Sequence, residues 1–401
     1  MIHIKKNSLS QVTLPDLIGE NGLFSDGDWV ESKDQDQNGD VRLIQLADVG
    51  IGEYINKSAR FMTSEKAEKL RCTFLKPGDI LIARMPDPIG RACVFPGDAK
   101  PCVTVVDICI LRPDHDIVDT NWLVHRINSS DFIYHIQKWV TGTTRQRISR
   151  SNLSTLAFSL PPLEEQKRIA AILDKADAIR RKRQQAIKHA DDFLRATFLD
   201  MFGDPVTNPK GWEVKPLSKL CDVRDGTHDS PKYVANGYPL VTSKNLKNGF
   251  IDFSDVNLIT EEDFIKINKR SAVDYGDIIM PMIGTIGNPV LVETHDKFAI
   301  KNVALIKFKD ADINNHYVLH LLKSHYFEWA IKDINRGGTQ QFIALTDIRN
   351  LPIPVPSKAM MNEFDQFIDK FQSLGNRHDL MKVDSSKLFN SLTQRAFRGE
   401  V

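Results

Sequence analysis

The chain has 401 residues, 41% of them hydrophobic and 26% charged, with 53 Lys and Arg against 52 Asp and Glu. That length points to two domains of roughly 150 residues, the composition excludes disorder, and the near-neutral balance gives no general attraction to polyanions, so any nucleic-acid face must come from charges sorted onto one surface. No apolar run nears the ~20 residues of a membrane span and the first residues lack a signal peptide's apolar core, so no membrane association and a cytoplasmic location are expected. The five cysteines form no CxxC pair, which predicts buried free thiols rather than disulfides or a zinc site.

Up to about residue 160, runs such as RLIQLADV, DILIAR, RACVFPG and DICILRP, separated by Gly and Pro turns, predict short strands. Within this stretch Asp16, Glu31 and Lys33 fit the loose Pro-Asp then Glu-x-Lys pattern of magnesium-dependent nucleases, in which carboxylates hold the metal and a lysine polarises water. The pattern is degenerate, lacks a clear strand pair and has no counterpart later in the chain, which favours coincidence. DTNWLVHRINSSDFIYHIQKWV reads as helical, and VTGTTRQRIS follows it. There is no P-loop, no HExxH helix and no Asn-Pro-Pro-aromatic signature of amino-methyltransferases, and IGTIGNP at 283–289 opens no helix, so nothing points to an active site.

LPPLEEQKRIAAILDKADAIRRKR opens a long helix in mid-chain. Pro161 and Pro162 end the preceding strand, and Glu164 and Glu165 sit at the positive end of the helix dipole. Counting in sevens places Ile169, Ala176, Arg183 and Ala190 on one line and Ile172, Ile179, Ala186 and Phe193 on the other, a coiled-coil seam broken by Arg183. At ~1.5 Å per residue some 30 residues make a rod of roughly 45 Å. A second helix keeps the count, with Phe364, Phe371, His378, Ser385 and Leu392 beside Phe367, Leu374, Met381 and Leu388, and Gly375 with Asn376 predicts a break in it.

The halves repeat one another. FLKPGDILIARMPDPIGRACVF at 74–95 matches SAVDYGDIIMPMIGTIGNPVLV at 271–292, and VTGTTRQRISRSNLSTLAFSLPPL at 140–163 matches NRGGTQQFIALTDIRNLPIPVPSK at 335–358. A weaker match joins ADVGIGEY to KNLKNGFI, and all three blocks keep offsets of 195 to 198 residues.

LPPLEEQKRIAAILDKADAI, FLDMFGDPVTNPKGWEVKPL at 198–217, the Gly-Asp-Ile turn of each half and the ending LTQRAFRGEV together resemble the specificity subunit of type I restriction-modification systems. The likeness spans essentially the whole chain, and only VPSKAMMNEF departs from it, lacking the Glu-Gln pair. It implies an α+β protein with target-recognition domains at 1–160 and 204–356, spacer helices at 161–203 and 357–401, and the helices packed as an antiparallel coiled coil about a pseudo-twofold axis. It also implies a non-catalytic subunit that reads a bipartite, asymmetric site in double-stranded DNA. Two methyltransferase subunits and two restriction subunits would then methylate adenines or cleave with ATP. The chain itself is expected to bind no cofactor and no metal, with S-adenosylmethionine, ATP and magnesium on the partners.

Loops after the last strand of each half are the expected readers. In the first half these are Thr143, Thr144, Arg145, Gln146 and Arg147, backed by Arg84 and Arg91; in the second they are Thr339, Gln340 and Gln341, with Lys244 and Asn245. Arg180, Arg181, Lys182 and Arg183 are expected to dock partner subunits. Two other readings stand beside this one: a nuclease using Asp16, Glu31 and Lys33, and a coiled-coil scaffold with no DNA role.

Overall fold

The computed structural model describes residues 10–247, 249–283, 286–332, 342–374 and 385–401. Two compact units divide the chain, Met1–Arg183 with Asp384–Val401, and Gln184–Val383. This cut differs from a linear series of domain, helix, domain, helix, because each long helical segment shares its apolar residues between both cores.

The first unit holds β1 (Ser10–Val12), β2 (Leu23–Asp26), β3 (Val41–Ile44), β4 (Phe61–Met62), β5 (Ile80–Ala83), β6 (Ala92–Val94), β7 (Cys102–Thr104), β8 (Ile108–Arg112) and β9 (Phe158–Leu160). Its helices are α1 (Ser64–Lys69), α2 (Thr120–Ile127), α3 (Ser130–Gln137), α4 (Arg150–Ser154) and the first part of α5 (Leu163–Phe202). The second unit holds β10 (Glu213–Pro216), β11 (Asp222–Asp225), β12 (Tyr238–Val241), β13 (Leu246–Lys247), β14 (Phe250–Ile251), β15 (Asn257–Ile259), β16 (Ile278–Pro281), β17 (Val290–Leu291), β18 (Ala299–Ile300), β19 (Val303–Lys307) and β20 (Pro352–Val355). Its helices are α6 (Glu261–Ser271), α7 (Asn315–Lys323), α8 (His325–Ile331), α9 (Leu345–Arg349) and α10 (Lys358–Leu374), while the last helix, α11 (Ser385–Phe397), belongs to the first unit.

The duplication is a duplication of topology. The order β2-β8-β5-β6 recurs as β11-β19-β16-β17, and β4-β3-β7 recurs as β15-β12-β18. In each three-stranded sheet one pair is parallel, β3 with β7 and β12 with β18, and β1 with β9 has its counterpart in β10 with β20. Central strands β5 and β16 are buried along their whole length, as their apolar runs ILIA and IIMP require. Alternation sends Ile80 and Ile82 to the core under the helices and Leu81 and Ala83 to the core against the other sheet.

The Gly-Asp turns are fold devices. Gly78 and Gly276 hold φ of +92° and +86°, a left-handed turn that a side chain disfavours. Asp79, 1% exposed, accepts the Lys76 N–H at 2.8 Å and both Nε and Nη2 of Arg112 at 2.7 and 2.8 Å. Asp277 does the same work with the Asp274 N–H and Lys307 Nζ, each at 2.8 Å. Burial alone would lower the Lys307 ammonium, but Asp274 and Asp277 more than offset it and raise it.

Each junction motif has a similar explanation. Gln166, fully buried, accepts the Asp119 N–H at 2.8 Å and donates to the carbonyls of Pro161 and Ile117, stapling the start of α5 to the start of α2. At the second junction Met361 stands 195 positions on, buried in the apolar core, so that staple is absent there. FGDPVTNPKGW is a helix stop. Gly203 turns at φ +78°, Lys210 Nζ donates to the carbonyls of Asp200 and Met201, and Trp212 Nε1 donates to that of Phe202 at 2.9 Å, which satisfies carbonyls that α5 leaves open.

Burial along α5 follows only one of the two lines of sevens, the one through Ile169, Ala176, Arg183 and Ala190. Its buried apolar residues cluster at the two ends, Ile169, Ala170 and Leu173 in the first unit and Leu194, Phe198 and Phe202 in the second, whereas Ile179 and Phe193 are 57% and 51% exposed. Domain cores, rather than one helical partner, set the buried face. In the second unit Phe193 meets Phe367 and Phe371 while Phe198 and Phe202 meet Phe364, so the contacts run in opposite chain directions. In the first unit Arg168 meets Val401 and Arg180 stacks on Phe389, in the same opposed order. Phe397 packs edge-on against Trp122 as Phe202 does against Tyr317, both residues of one pair standing 195 positions from those of the other. Gly375, Asn376, His378 and Met381, where the sequence predicts a break within the sevens, lie outside the described residues.

Four cysteines, Cys93, Cys102, Cys109 and Cys221, are buried free thiols, pushed up to about 12 by burial, and Cys72 is half-buried. Beside Cys72, burial raises the Asp28 carboxyl to about 6 despite the hydrogen bond it accepts from the Thr73 N–H at 3.0 Å. An acid raised in the fold is protonated in both states at low pH and penalises the folded state as pH climbs from about 4 to 6. Allowing for its contact with solvent, Asp28→Asn should stabilise the protein by about 1 kcal/mol at pH 8 and by nothing at pH 3.5. Denaturant midpoints at the two pH values test this, and an equal shift at both would remove the cause assigned here.

Candidate nucleic-acid interface

After α3, Thr141 and Arg147 pair across a tight hairpin, N–H to carbonyl in both directions at 3.0 and 2.9 Å. Gly142 turns the chain at φ +95°, and a Cβ there would fall 2.4 Å from the Arg145 carbonyl, so the position needs glycine. All seven residues from Thr141 to Arg147 are exposed. The hairpin therefore brings together Thr143, Thr144, Arg145, Gln146 and Arg147, whose hydroxyl, guanidinium and amide groups are the kinds that read base edges.

The hairpin stands on a rigid base. Ile148 is buried and its N–H donates to the Arg84 carbonyl at 3.0 Å. Arg147 lies 3.8 Å from Asp107, in the turn between β7 and β8. Beneath it Asp26 at the end of β2 draws in Arg84 at 3.3 Å and Arg150 at 3.4 Å.

Two of the arginines expected to read DNA do not face solvent. Arg84 is 2% exposed, held by Asp26 and donating to the Val106 carbonyl. Arg91 is 7% exposed and gives its donors to the carbonyls of Val49, Met85, Pro88 and Leu46 at 2.6 to 3.0 Å, tying two loops together. With four of its five N–H donors spent and its surface covered, the Arg91 guanidinium is out of reach of a base.

In the second unit Asn245 is corrected in the same way. It is 1% exposed, accepts the Thr242 N–H at 3.0 Å and donates to the carbonyls of Asp252 and Asp255, as Asp48 caps the equivalent loop in the first unit. Its neighbour Lys244 is exposed, 4.0 Å from Asp255. Thr339, Gln340 and Gln341 lie outside the described residues, but the base of their segment repeats the first unit, since the Ile343 N–H donates to the Met282 carbonyl at 3.0 Å.

The basic run on α5 is partly used within the first unit. Arg180 and Arg181 both bind Asp177, and Arg181 also reaches Glu53 and the Ile51 carbonyl. Burial would raise Asp177, but the two guanidiniums outweigh it and hold the carboxyl below its usual range. Lys182 is exposed and Arg183 half-buried.

The nuclease pattern does not assemble. Asp16 spends its carboxylate capping its own turn through the Thr13 N–H and hydroxyl, both at 2.7 Å, while Glu31 pairs with Lys33 on the surface. Among the described residues no three His, Cys, Asp or Glu side chains gather as a metal site.

Comparison with known families decides between the readings. The family model described as "Type I restriction modification DNA specificity domain" matches residues 19–189 and again 209–382, one match to each repeat. The chain belongs to the type I specificity family. Members of this family are the non-catalytic specificity subunits of their systems. The MjaIX specificity subunit of Methanocaldococcus jannaschii is 23% identical over 398 residues, covering 90% of this chain and 87% of that one. The EcoBI specificity subunit of Escherichia coli is 21% identical over 337 residues, covering 76% and 70%. The crystal structure of a type I restriction-modification S subunit from M. genitalium has the same fold, with a TM-score of 0.55 at 14% identity over 99% of this chain and 98% of that one. Among the described residues no helix is long and apolar enough to cross a membrane.

Proposed function

We propose that this specificity subunit reads a bipartite, asymmetric duplex DNA site, one half with each unit, and directs adenine methylation and ATP-dependent cleavage by partner subunits in the cytoplasm. The carrying observation is one α/β unit built twice with a reading segment of different chemistry in each, TTRQR against GTQQF. The bases of the two segments are alike in the Ile148 and Ile343 bonds, and the difference in their side chains supports half-sites that differ. Two methyltransferase and two restriction subunits join the chain and carry S-adenosylmethionine, ATP and magnesium, while Lys182 and Arg183 are the docking cations that the first unit leaves least engaged. The helical segments act as an antiparallel spacer, a reading supported by the opposed order of the contacts between α5 and α10 and between α5 and the C-terminal segment.

A four-residue insertion after Lys182, about one turn and ~6 Å, should lengthen the unread spacer by one or two base pairs at ~3.4 Å each and leave both half-sites intact. Mapping methylated adenines in host DNA before and after the insertion checks this. A changed half-site sequence would sink the spacer role.

A further inference from the structure

A second charged feature lies at the end of β11 in the second unit, near the Ile343 N–H bond to the Met282 carbonyl, and the sequence pattern did not single it out. Asp225 ends β11 as Asp26 ends β2, but here the buried carboxylate holds His228 and Arg270. The His228 ring has an oxygen at 2.9 Å on each nitrogen, Asp225 Oδ2 on Nε2 and Asn302 Oδ1 on Nδ1, and both contacts favour the imidazolium. These bonds, Asn302 foremost, raise its pKa above the ordinary histidine value. Lys301 donates to Ser230 Oγ at 2.6 Å, and Lys266 and Arg270 line one wall of a cleft of about 460 Å³ between the Thr227–Pro231 loop and α6.

The surrounding charges are mixed but favour an anion. Asp225, Asp229 and Asp263 face His228, Lys266, Arg270 and Lys301, so the cleft is one charge positive with the imidazole protonated and neutral without it. Asp225 is already occupied by its two cations, and Asp263 accepts the Thr260 hydroxyl at 3.1 Å, capping its own helix.

Position gives the cleft its meaning. In the first unit the β7–β8 turn meets the reading hairpin through Asp107 and Arg147. In the second, the equivalent turn carries Lys301 and Asn302, where the first has Val105 and Val106. At the place of Thr227 the first unit has Asp28, half-buried against Thr73. Lys301 and Asn302 therefore have apolar residues as their counterparts in the first unit.

We propose that this cleft binds a backbone phosphodiester of duplex DNA beside the second half-site, with Lys266, Arg270 and Lys301 as its positioning cations and His228, whose two nitrogens are engaged, adding charge alone. Phosphate contacts place a reader without specifying bases, and their number sets the salt dependence of binding. The proposal rests on the DNA-reading function above.

The test uses the full chain with its methyltransferase partners, titrated with cognate and mixed-sequence duplexes over a range of salt. Lys266→Gln, at an exposed position, should lower the slope of log K against log salt by about 0.9, and adding Lys301→Gln should lower it further. Both duplexes should weaken by the same factor and the methylated adenines should stay the same. The native complex should lose affinity as pH rises through the raised His228 pKa, and His228→Gln should flatten that fall. Slopes and pH profiles equal to the native ones would overturn the cleft, as would a changed base preference in the second half-site. If the native complex itself has no salt-dependent affinity for duplex DNA, the DNA-reading function fails instead.

Discussion

Replacing Arg145 and Arg147 together by alanine should abolish or relax reading of one half-site and leave the other untouched. Both guanidiniums stand exposed on a hairpin whose backbone is closed by two hydrogen bonds, so their removal does not disturb the fold. A bidentate arginine on a guanine edge is worth about 1–3 kcal/mol of discrimination, so losing two costs about 2–6 kcal/mol, at least ~30-fold. The tie from Arg147 to Asp107 at 3.8 Å is exposed and adds little. Methylation mapping should find the first unit's half-site degenerate and the second intact. Equal degradation of both halves would contradict a separate reader in each unit.

The second large effect is on stability. Asp79→Ala should destabilise the first unit by about 3 kcal/mol, because it strands the Arg112 guanidinium and uncaps the Lys76 N–H at the turn. Asp277→Ala should cost the second unit less, because Lys307 keeps Asp274 at 2.8 Å and the Ala272 carbonyl at 2.9 Å. For units of this size 3 kcal/mol corresponds to about 6–12 °C in Tm. Calorimetry on the full chain should find each substitution lowering one unit's transition. A loss under about 1 kcal/mol would mean that the turn glycine, rather than the ion pair, carries the motif.

Much of this was legible in the sequence because it is written in local terms. The constant offset of the repeats, the glycines that must turn left-handed and the helix opening after Pro161 and Pro162 need no knowledge of neighbours. Arg84, Arg91 and Asn245 were misread for the opposite reason. A polar side chain near a motif looks available until the carbonyls that occupy it are known, and those of Val49 and Leu46 lie over forty residues from Arg91. Only the second line of sevens on α5 misled in the same way, since a helix shared by two cores buries its ends and leaves Ile179 in solvent. His228 and Lys301 were missed because nothing short-range joins them; their common place follows only from the turn between β18 and β19.

The hairpin's footing has a consequence for how such a protein changes its target. Ile148 and Ile343 are each held by a main-chain bond to the residue opposite, Arg84 in one unit and Met282 in the other. That bond is blind to side-chain identity, so it acts as a socket into which differently lettered segments fit. On the proposed function, rewriting the few exposed letters of the Thr141–Arg147 hairpin would change one half of the target and leave the other half inherited unchanged.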